Sequence, residues 1–421
     1  MTTGQRLGHG GSATLLVLLS LLLGLSTAVL WSHRGQLAEQ RSAADQARAT
    51  AALHAAQAGL DWGLAQLHRR TPLDGRCAPD LSSTTSWRQR YLGLLHGERT
   101  ITPLGSAEAG CLHDGSGWTC ACPASAGSRA FESLTAPTDG QEHPGFLLRW
   151  ETVATTGAVT LVSTGCLPAG PACSGTDGSA WPAASARARL RLDHGLLGTL
   201  RRWPLAPVSA AGRVTLGPAV EVVQPDATWL PGWTVAAGGA VVLEPGARLS
   251  SVAHAGTDSA RAQLPGLSGD LDTWLRRHVG LPIAWLRRLP SVTTLDCSQP
   301  CSGATLAAAW NRERPVLVIR GDATLDDQAP RGSLQQPLVL LVDGTLSAQT
   351  SGAWHGLIVA RAVQWQAGSS SGLDGALLSA GDLRLDGPLT VRASRAVLEQ
   401  AGDSLAALVP LAGGWRDHES P

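Results

Sequence analysis

Residues 368–372, Gly368-Ser369-Ser370-Ser371-Gly372, spell G-x-S-x-G, the pattern of a serine nucleophile elbow. An elbow needs a strand before the serine and a helix after it, so that the hydroxyl is lifted above a sheet. Here a Trp-containing apolar run precedes, but another short apolar strand follows at Gly375, and without the helix the cluster reads as a turn. Arg320-Gly321-Asp322 spells an adhesion tripeptide at the end of an alternating strand, where Gly supplies positive φ and Asp bonds its own backbone, again as in a turn. Asp322, Asp326, Asp343 and Asp382 would align along successive coils of a parallel β-helix, as acids do in polysaccharide-active enzymes, but turn formation alone also stacks acids at equivalent corners. The 12 histidines are scattered, with no H-E-x-x-H. Trp310, Trp354 and Trp365 could stack on a sugar or a partner and are read as packing. No catalytic residue, cofactor or metal site is therefore assigned, and the expected protein is not an enzyme.

The eight cysteines are the other reactive set. An even count behind an export-type segment implies disulfides in an oxidising compartment. Cys166 with Cys173, and Cys297 with Cys301, are the preferred local loops. Cys120-Ala-Cys122 is a tight pair, but none of the spacings supplies the two C-x2-C pairs of a zinc site.

These groups need elements to hold them. At 421 residues two or more structural units are expected. Apolar residues reach 43%, aromatics only 4%, and there are 49 Gly and 25 Pro, a mixture that suits turn-rich β structure. Net charge is zero and every one of the 33 cationic side chains is Arg, so no basic field exists for holding nucleic acid.

The N-terminal run GSATLLVLLSLLLGLSTAVLW, residues 11–31, carries no charge between Arg6 and Arg34. It is close to the roughly 20 residues that span a bilayer. Ser26-Thr27-Ala28 would serve as a signal-peptide cleavage site. Against cleavage, residues 33–70 contain no Pro and are rich in Ala, Gln, Arg and Leu, all strong helix formers, so the run is expected to continue as one long helix. The membrane anchor is assigned to Ala13, Leu15, Leu16, Leu22, Gly24, Leu25 and Trp31. Leu53, Ala56, Leu60, Leu64 and Leu67 follow helical spacing and are assigned as the face that packs on partner helices.

Downstream, residues 145–166 read as a β-hairpin and 186–197 as a further alternating strand. From Val208 onward short strands end in Gly and start again; Gly321, Gly344, Ala362 and Gly381 recur every 18 to 23 residues, the period of one coil of a parallel β-helix. A β-sandwich of hairpins is the alternative. Residues 264–290 have helical spacing and are expected to cap an open end of the coils. The expected fold is α+β, mainly β: residues 1–70 as leader, transmembrane anchor and extended helix, 71–205 as a disulfide-bearing mixed head, and 206–421 as a β-solenoid-like region.

The segment AEQRSAADQARATAALHAAQAGLDWGL (residues 38–64), following a glycine-closed leader and an uncharged apolar run, resembles the start of PilX-type pilus assembly proteins, relatives of the minor type IV pilins. Glu39, Arg41, Asp45, Ala55, Ala56 and Ala58 hold matching places, and Gln57 stands where that family usually has Glu. PLVLLVDGTLSA (337–348), WHGLIVAR (354–361), VRASRAVLEQ (391–400) and GGWRDH (413–418) resemble the family's C-terminal segments in the same order. The resemblance implies leader processing at Gly10 or Gly11 and a pilin-like head on the long helix. It further implies a single-pass inner-membrane protein with its C-terminal region in the periplasm, which supports initiation or assembly of a type IV pilus. Its partners would be other minor pilins and pilus assembly proteins, with no nucleic acid and no small-molecule substrate. Leu15 or Leu16 stands at the fifth mature position, where major pilins carry Glu. The alternative is an exported β-helix protein, a polysaccharide-active enzyme or an adhesin, released after Ala28.

Overall fold

The computed structural model describes residues 11–417 apart from 97–99, 106, 126, 136, 154–156, 171–172, 174–184 and 268, with side chains described from residue 15. Helix α1 (Gly11–His68) runs 58 residues without a break, as the Pro-free, Ala- and Leu-rich sequence dictates. Its first half stands clear of the rest of the chain, and its last four turns are buried along one face.

The next unit begins with α2 (Trp87–Tyr91), started by a capping box in which Ser86 and Gln89 satisfy each other's backbone amides. A two-stranded hairpin follows, β1 (Leu92–Leu95) with β2 (Thr100–Pro103). Then come β3 (Ala109–His113), β4 (Trp118–Ala121), the short α3 (Ala130–Ser133), β5 (Gly145–Thr152), β6 (Ala158–Leu167) and β7 (Ala186–Leu197). These strands pair antiparallel in the order β7-β6-β5-β3-β4. The hairpin read from residues 145–166 is β5–β6, with Gly145 opposite Cys166. Every residue of β6 is buried, because α1 covers one face of the sheet and a smaller apolar cluster around Phe131, Leu147 and Cys166 covers part of the other.

From here pairing turns parallel. Strands β8 (Val208–Ala210), β9 (Val214–Leu216) and β10 (Glu221–Gln224) are repeated one coil later by β11 (Val235–Ala237), β12 (Val241–Leu243) and β13 (Arg248–Ser251), with Val208 beside Val235, Val214 beside Val241 and Glu221 beside Arg248. The short β14 (Ala260–Arg261) continues from β11. Helices α4 (Leu271–His278) and α5 (Ile283–Leu286) then lead to β15 (Val292–Asp296), α6 (Gly303–Ala309), β16 (Val316–Arg320) and β17 (Ala323–Leu325). The long β18 (Leu338–Ser379) bends round the corners, followed by β19 (Leu383–Asp386), β20 (Leu389–Arg392), α7 (Arg395–Leu405) and β21 (Ala407–Arg416). Val292, Val316 and Val339 are neighbours in register. The last coil docks on the first: Leu377 lies beside Val208, Leu383 beside Val214, and Thr390 beside Glu221. The chain thus enters this nearly closed parallel sheet in the middle, builds towards one end, crosses to the other and returns.

The crossing segment corrects one expectation. Residues 264–290 do not cap an end; α4 and α5 lie along the outside of the sheet, where Leu271, Trp274, Leu275 and Leu286 pack with α7 on Val316, Val318, Val339 and Leu341. The alternate residues Leu317, Ile319, Leu340 and Val342 point into the enclosed core. Burial on both faces is why these strands read as unbroken apolar runs. At the corner after β16, Gly321 has φ of 106°, and the backbone of Gly344 one coil on is so close to the Gly321 carbonyl that a Cβ would overlap it. Strand β21 leaves the parallel region altogether and pairs antiparallel with β7, as the outer strand of the antiparallel sheet.

Candidate functional site

The feature that sets this molecule apart from a compact globule is the free half of α1. Eleven Leu and Val side chains between Leu15 and Leu30, including Leu15, Leu16, Leu22 and Leu25, are 57–70% exposed, and Trp31 is 81% exposed. Contiguous apolar area on this scale marks a surface that leaves water. At about 1.5 Å per residue, residues 11–31 rise about 31 Å, against about 30 Å of bilayer hydrocarbon. It is the one described helix long and apolar enough to cross a membrane. Its described hydroxyls are satisfied internally: Ser20 donates to the Val17 carbonyl, Ser26 to that of Leu22 at 2.7 Å, and Thr27 to those of Leu23 and Gly24 at 3.0 and 2.9 Å. Hydrocarbon offers no other partner. Gly24 is open, with nothing near a would-be Cβ. Gly10 and the side chain of Ala13 lie outside the described residues; α1 begins at Gly11.

The other half is the root. Ala56, Leu60 and Leu67 are buried in the chain's own core with Val159, Leu161 and Leu190, and Leu64 is half-buried against the same cluster. Only Leu53 is exposed. The stripe assigned to partner helices therefore faces this chain's own sheet, which corrects that assignment: helical periodicity identifies an apolar face but not what covers it. Three glycines make the approach close. A Cβ on Gly165 would overlap the Ala52 carbonyl and the Ala56 amide, one on Gly59 would meet the Phe146 ring at 2.8 Å, and one on Gly63 would meet Leu161 at 2.9 Å. Trp62, Trp87 and Trp150 pack edge-on and tilted beside them, with centroids 5.8 and 5.9 Å apart. Where the helix leaves the sheet, Arg48 makes a two-pronged bond to Glu142 at 3.0 and 3.2 Å.

Below the root, a half-buried arginine and a buried one, Arg70 and Arg88, tie the head to α7. Arg70 donates to the carbonyls of Asp403 at 2.9 Å and Ser404 at 2.8 Å, and Arg88 to those of Ala406 at 2.8 Å and Asp403 at 2.7 Å. These are the orphan carbonyls at the end of α7, and cations are favoured there. Glu313 accepts from the backbone amides of Arg70 and Thr71 at 2.9 and 3.0 Å. His96 bridges Asp403 at 3.1 Å and Thr199 at 2.9 Å. Burial pushes the Asp403 carboxyl up, but the His96 hydrogen bond and the Arg88 charge outweigh it and hold it below the usual carboxylate range. Burial, then the Arg88 charge, lowers Arg70. Sequence reading passed over Arg70, Arg88 and Asp403, and the only legible signal was the Ser86-x-x-Gln89 capping box that places Arg88 on a helix.

The enzyme-like constellations come apart. Ser370 is exposed, no histidine bonds to it among the described residues, and Ser371 donates to the Thr350 carbonyl at 2.8 Å. Asp322 accepts from the Thr345 amide at 2.7 Å, Asp326 from that of Gln328 at 2.9 Å and Asp382 from that of Arg213 at 2.8 Å, while Asp343 pairs with Arg361 and Arg287. Each acid is engaged at its own corner. Arg320 pairs with Asp296 at 3.1 Å, so Arg320-Gly321-Asp322 is a corner of the parallel sheet. Trp354 and Trp365 are buried edge to face inside the enclosed core, and Trp310 donates to the Pro315 carbonyl. No group of three or more His, Cys, Asp or Glu among the described residues could hold a metal ion. The cysteines pair as Cys77–Cys122, Cys111–Cys120, Cys166–Cys173 and Cys297–Cys301.

No family model, curated protein or solved structure matches the chain. The site is an exposed apolar helix, glycine-seated on a sheet, carrying a disulfide-bonded β body.

Proposed function

We propose that this chain is an anchored assembly component of a type IV pilus machinery, similar to the PilX-type minor pilins, with its head and C-terminal region in the periplasm. The observation that carries the reading is α1: one unbroken helix whose first half is apolar and exposed and whose second half is sunk into an antiparallel sheet. A cleaved signal peptide has no need to continue into the core of the protein it exports. Four disulfides fit an oxidising compartment outside the cytoplasm. On this reading the sheet with α1 is a pilin-like head, and the parallel region is a short β-solenoid displayed beyond it. The lateral contacts with other minor pilins then fall to the exposed anchor, where Gly24, Ser26, Thr27 and Ala28 offer the close packing that membrane helices use.

The test is genetic and direct. Deleting the gene is expected to abolish or strongly reduce surface pili, the full-length chain to restore them, and a version with residues 1–31 replaced by a cleavable signal peptide to leave them absent. Normal piliation in the deletion strain would overturn the proposal.

A further inference from the structure

A cleft lies where the head, the loop before β16, the loop after β17 and helix α7 meet. It has two lobes, of about 320 and 590 Å³, which share Thr84, Arg88, Gln89, Gln335, Gln400 and Asp403. Three observations define what it would take. First, its wider lobe is lined by Leu92, Gly93 and Leu94 of β1. Among the described residues that strand pairs with β2 alone, and β2 packs towards β5 and β6, so the other edge of β1 has no strand partner there. An unpaired edge is a template for another strand. Secondly, the rim carries three large apolar side chains: Leu81 is 74% exposed, Leu334 50% and Leu104 47%. The floor is carboxamide-rich, and the Nε2 of Gln336 is shielded from solvent without an acceptor. Carboxamides match the donors and acceptors of a peptide backbone. Thirdly, the guanidinium groups of Arg70 and Arg88 are taken up by α7, but Arg312 at the narrow lobe is exposed and has no ionic or hydrogen-bonded partner among the described residues. Among the described residues no Trp, Tyr or Phe lines either lobe, so a pyranose ring finds no stacking face there.

We propose that this cleft binds an extended peptide segment of another polypeptide. The segment adds as a strand to the edge of β1, sets apolar side chains at alternate positions among the rim leucines, and presents a carboxylate to Arg312. Strand addition supplies affinity through main-chain bonds, with specificity from the alternate pockets and the charge. This goes beyond the assembly reading and stands independently of it.

The probe is a fluorescein-labelled, C-terminally amidated heptapeptide in which leucine alternates with threonine and the last residue is aspartate, with a twin ending in asparagine. Binding to the full-length chain in nanodiscs is followed by anisotropy, and amide exchange is followed across residues 92–95. We expect saturable binding below about 1 mM, about tenfold tighter for the aspartate peptide, the scale of one charge-assisted hydrogen bond. Arg312→Gln should erase that preference, Gln335→Trp should weaken both peptides, and bound peptide should slow exchange in β1. Absence of saturable binding, a preference that survives Arg312→Gln, binding that leaves β1 unprotected, or displacement of the peptide by a neutral oligosaccharide at lower concentration would each overturn the proposal.

Discussion

Gly165→Ala tests the seating of α1 on its sheet with the smallest possible change. The new methyl would overlap the Ala52 carbonyl oxygen and the Ala56 amide nitrogen and lie 3.0 Å from the Ala56 Cα. All three are helix backbone and cannot rotate aside, so α1 must lift from β6 by roughly 1 Å to restore ordinary contact. A gap of that size forfeits about a quarter to a half of each dispersion contact under the helix, and Ala56 and Leu60, now 0% and 1% exposed, lie directly beneath it. Overpacking costs about 1–3 kcal/mol where side chains can adjust; with backbone as the obstacle we expect about 3 kcal/mol. At about 2–4 °C per kcal/mol for domains of 150–250 residues, the melting midpoint should fall by roughly 6–12 °C. The assay is thermal unfolding of the full-length chain in detergent, followed by tryptophan fluorescence, because Trp62, Trp87 and Trp150 sit beside the seat. Gly75→Ala, where a Cβ meets nothing, is the control. If both variants melt with the wild type, α1 is not seated as described.

Replacing Arg88 by Met removes both bonds to the end of α7 and the positive charge that helps hold Asp403 ionised; a loss of about 3 kcal/mol in denaturant unfolding is expected, partly recovered in Arg88→Met/Asp403→Asn. An additive double variant would contradict the coupling. His278 is buried against Trp274 with its ring stacked at 3.9 Å, and burial lowers its pKa to about 4. Its folded pKa lies below the unfolded value of about 6.5, so the stability it contributes is complete above pH 6.5, falls as pH drops towards 4 and amounts to about 3 kcal/mol. His278→Phe should flatten that part of the pH–stability curve, and an unchanged slope would place the titration elsewhere.

The long helix was legible because nothing in residues 33–70 breaks it, and the succession of short strands in the parallel sheet was legible because turns there need a small residue, as at Gly321 and Gly344. What covers what was not. The Leu60 stripe shows its period in sequence, but the sheet that buries it is more than 80 residues away. The docking of residues 377–391 onto 208–222 likewise depends on complementary faces, which strand patterns do not encode. The place of α4 and α5 had a signal that went unused: Val316 to Ile319 and Leu338 to Val342 are apolar at consecutive positions, and such strands require cover on both faces. Arg70 and Arg88 look like any surface arginine until the end of α7 is brought beside them.

The central claim is that the apolar half of α1 is retained as an anchor. The measurement that tests it most directly is the N-terminus of the mature chain, by mass spectrometry of membrane and released fractions. The account predicts a membrane-bound chain that begins near Gly11 or Ser12, or is uncut; a soluble chain beginning at Val29 would contradict it.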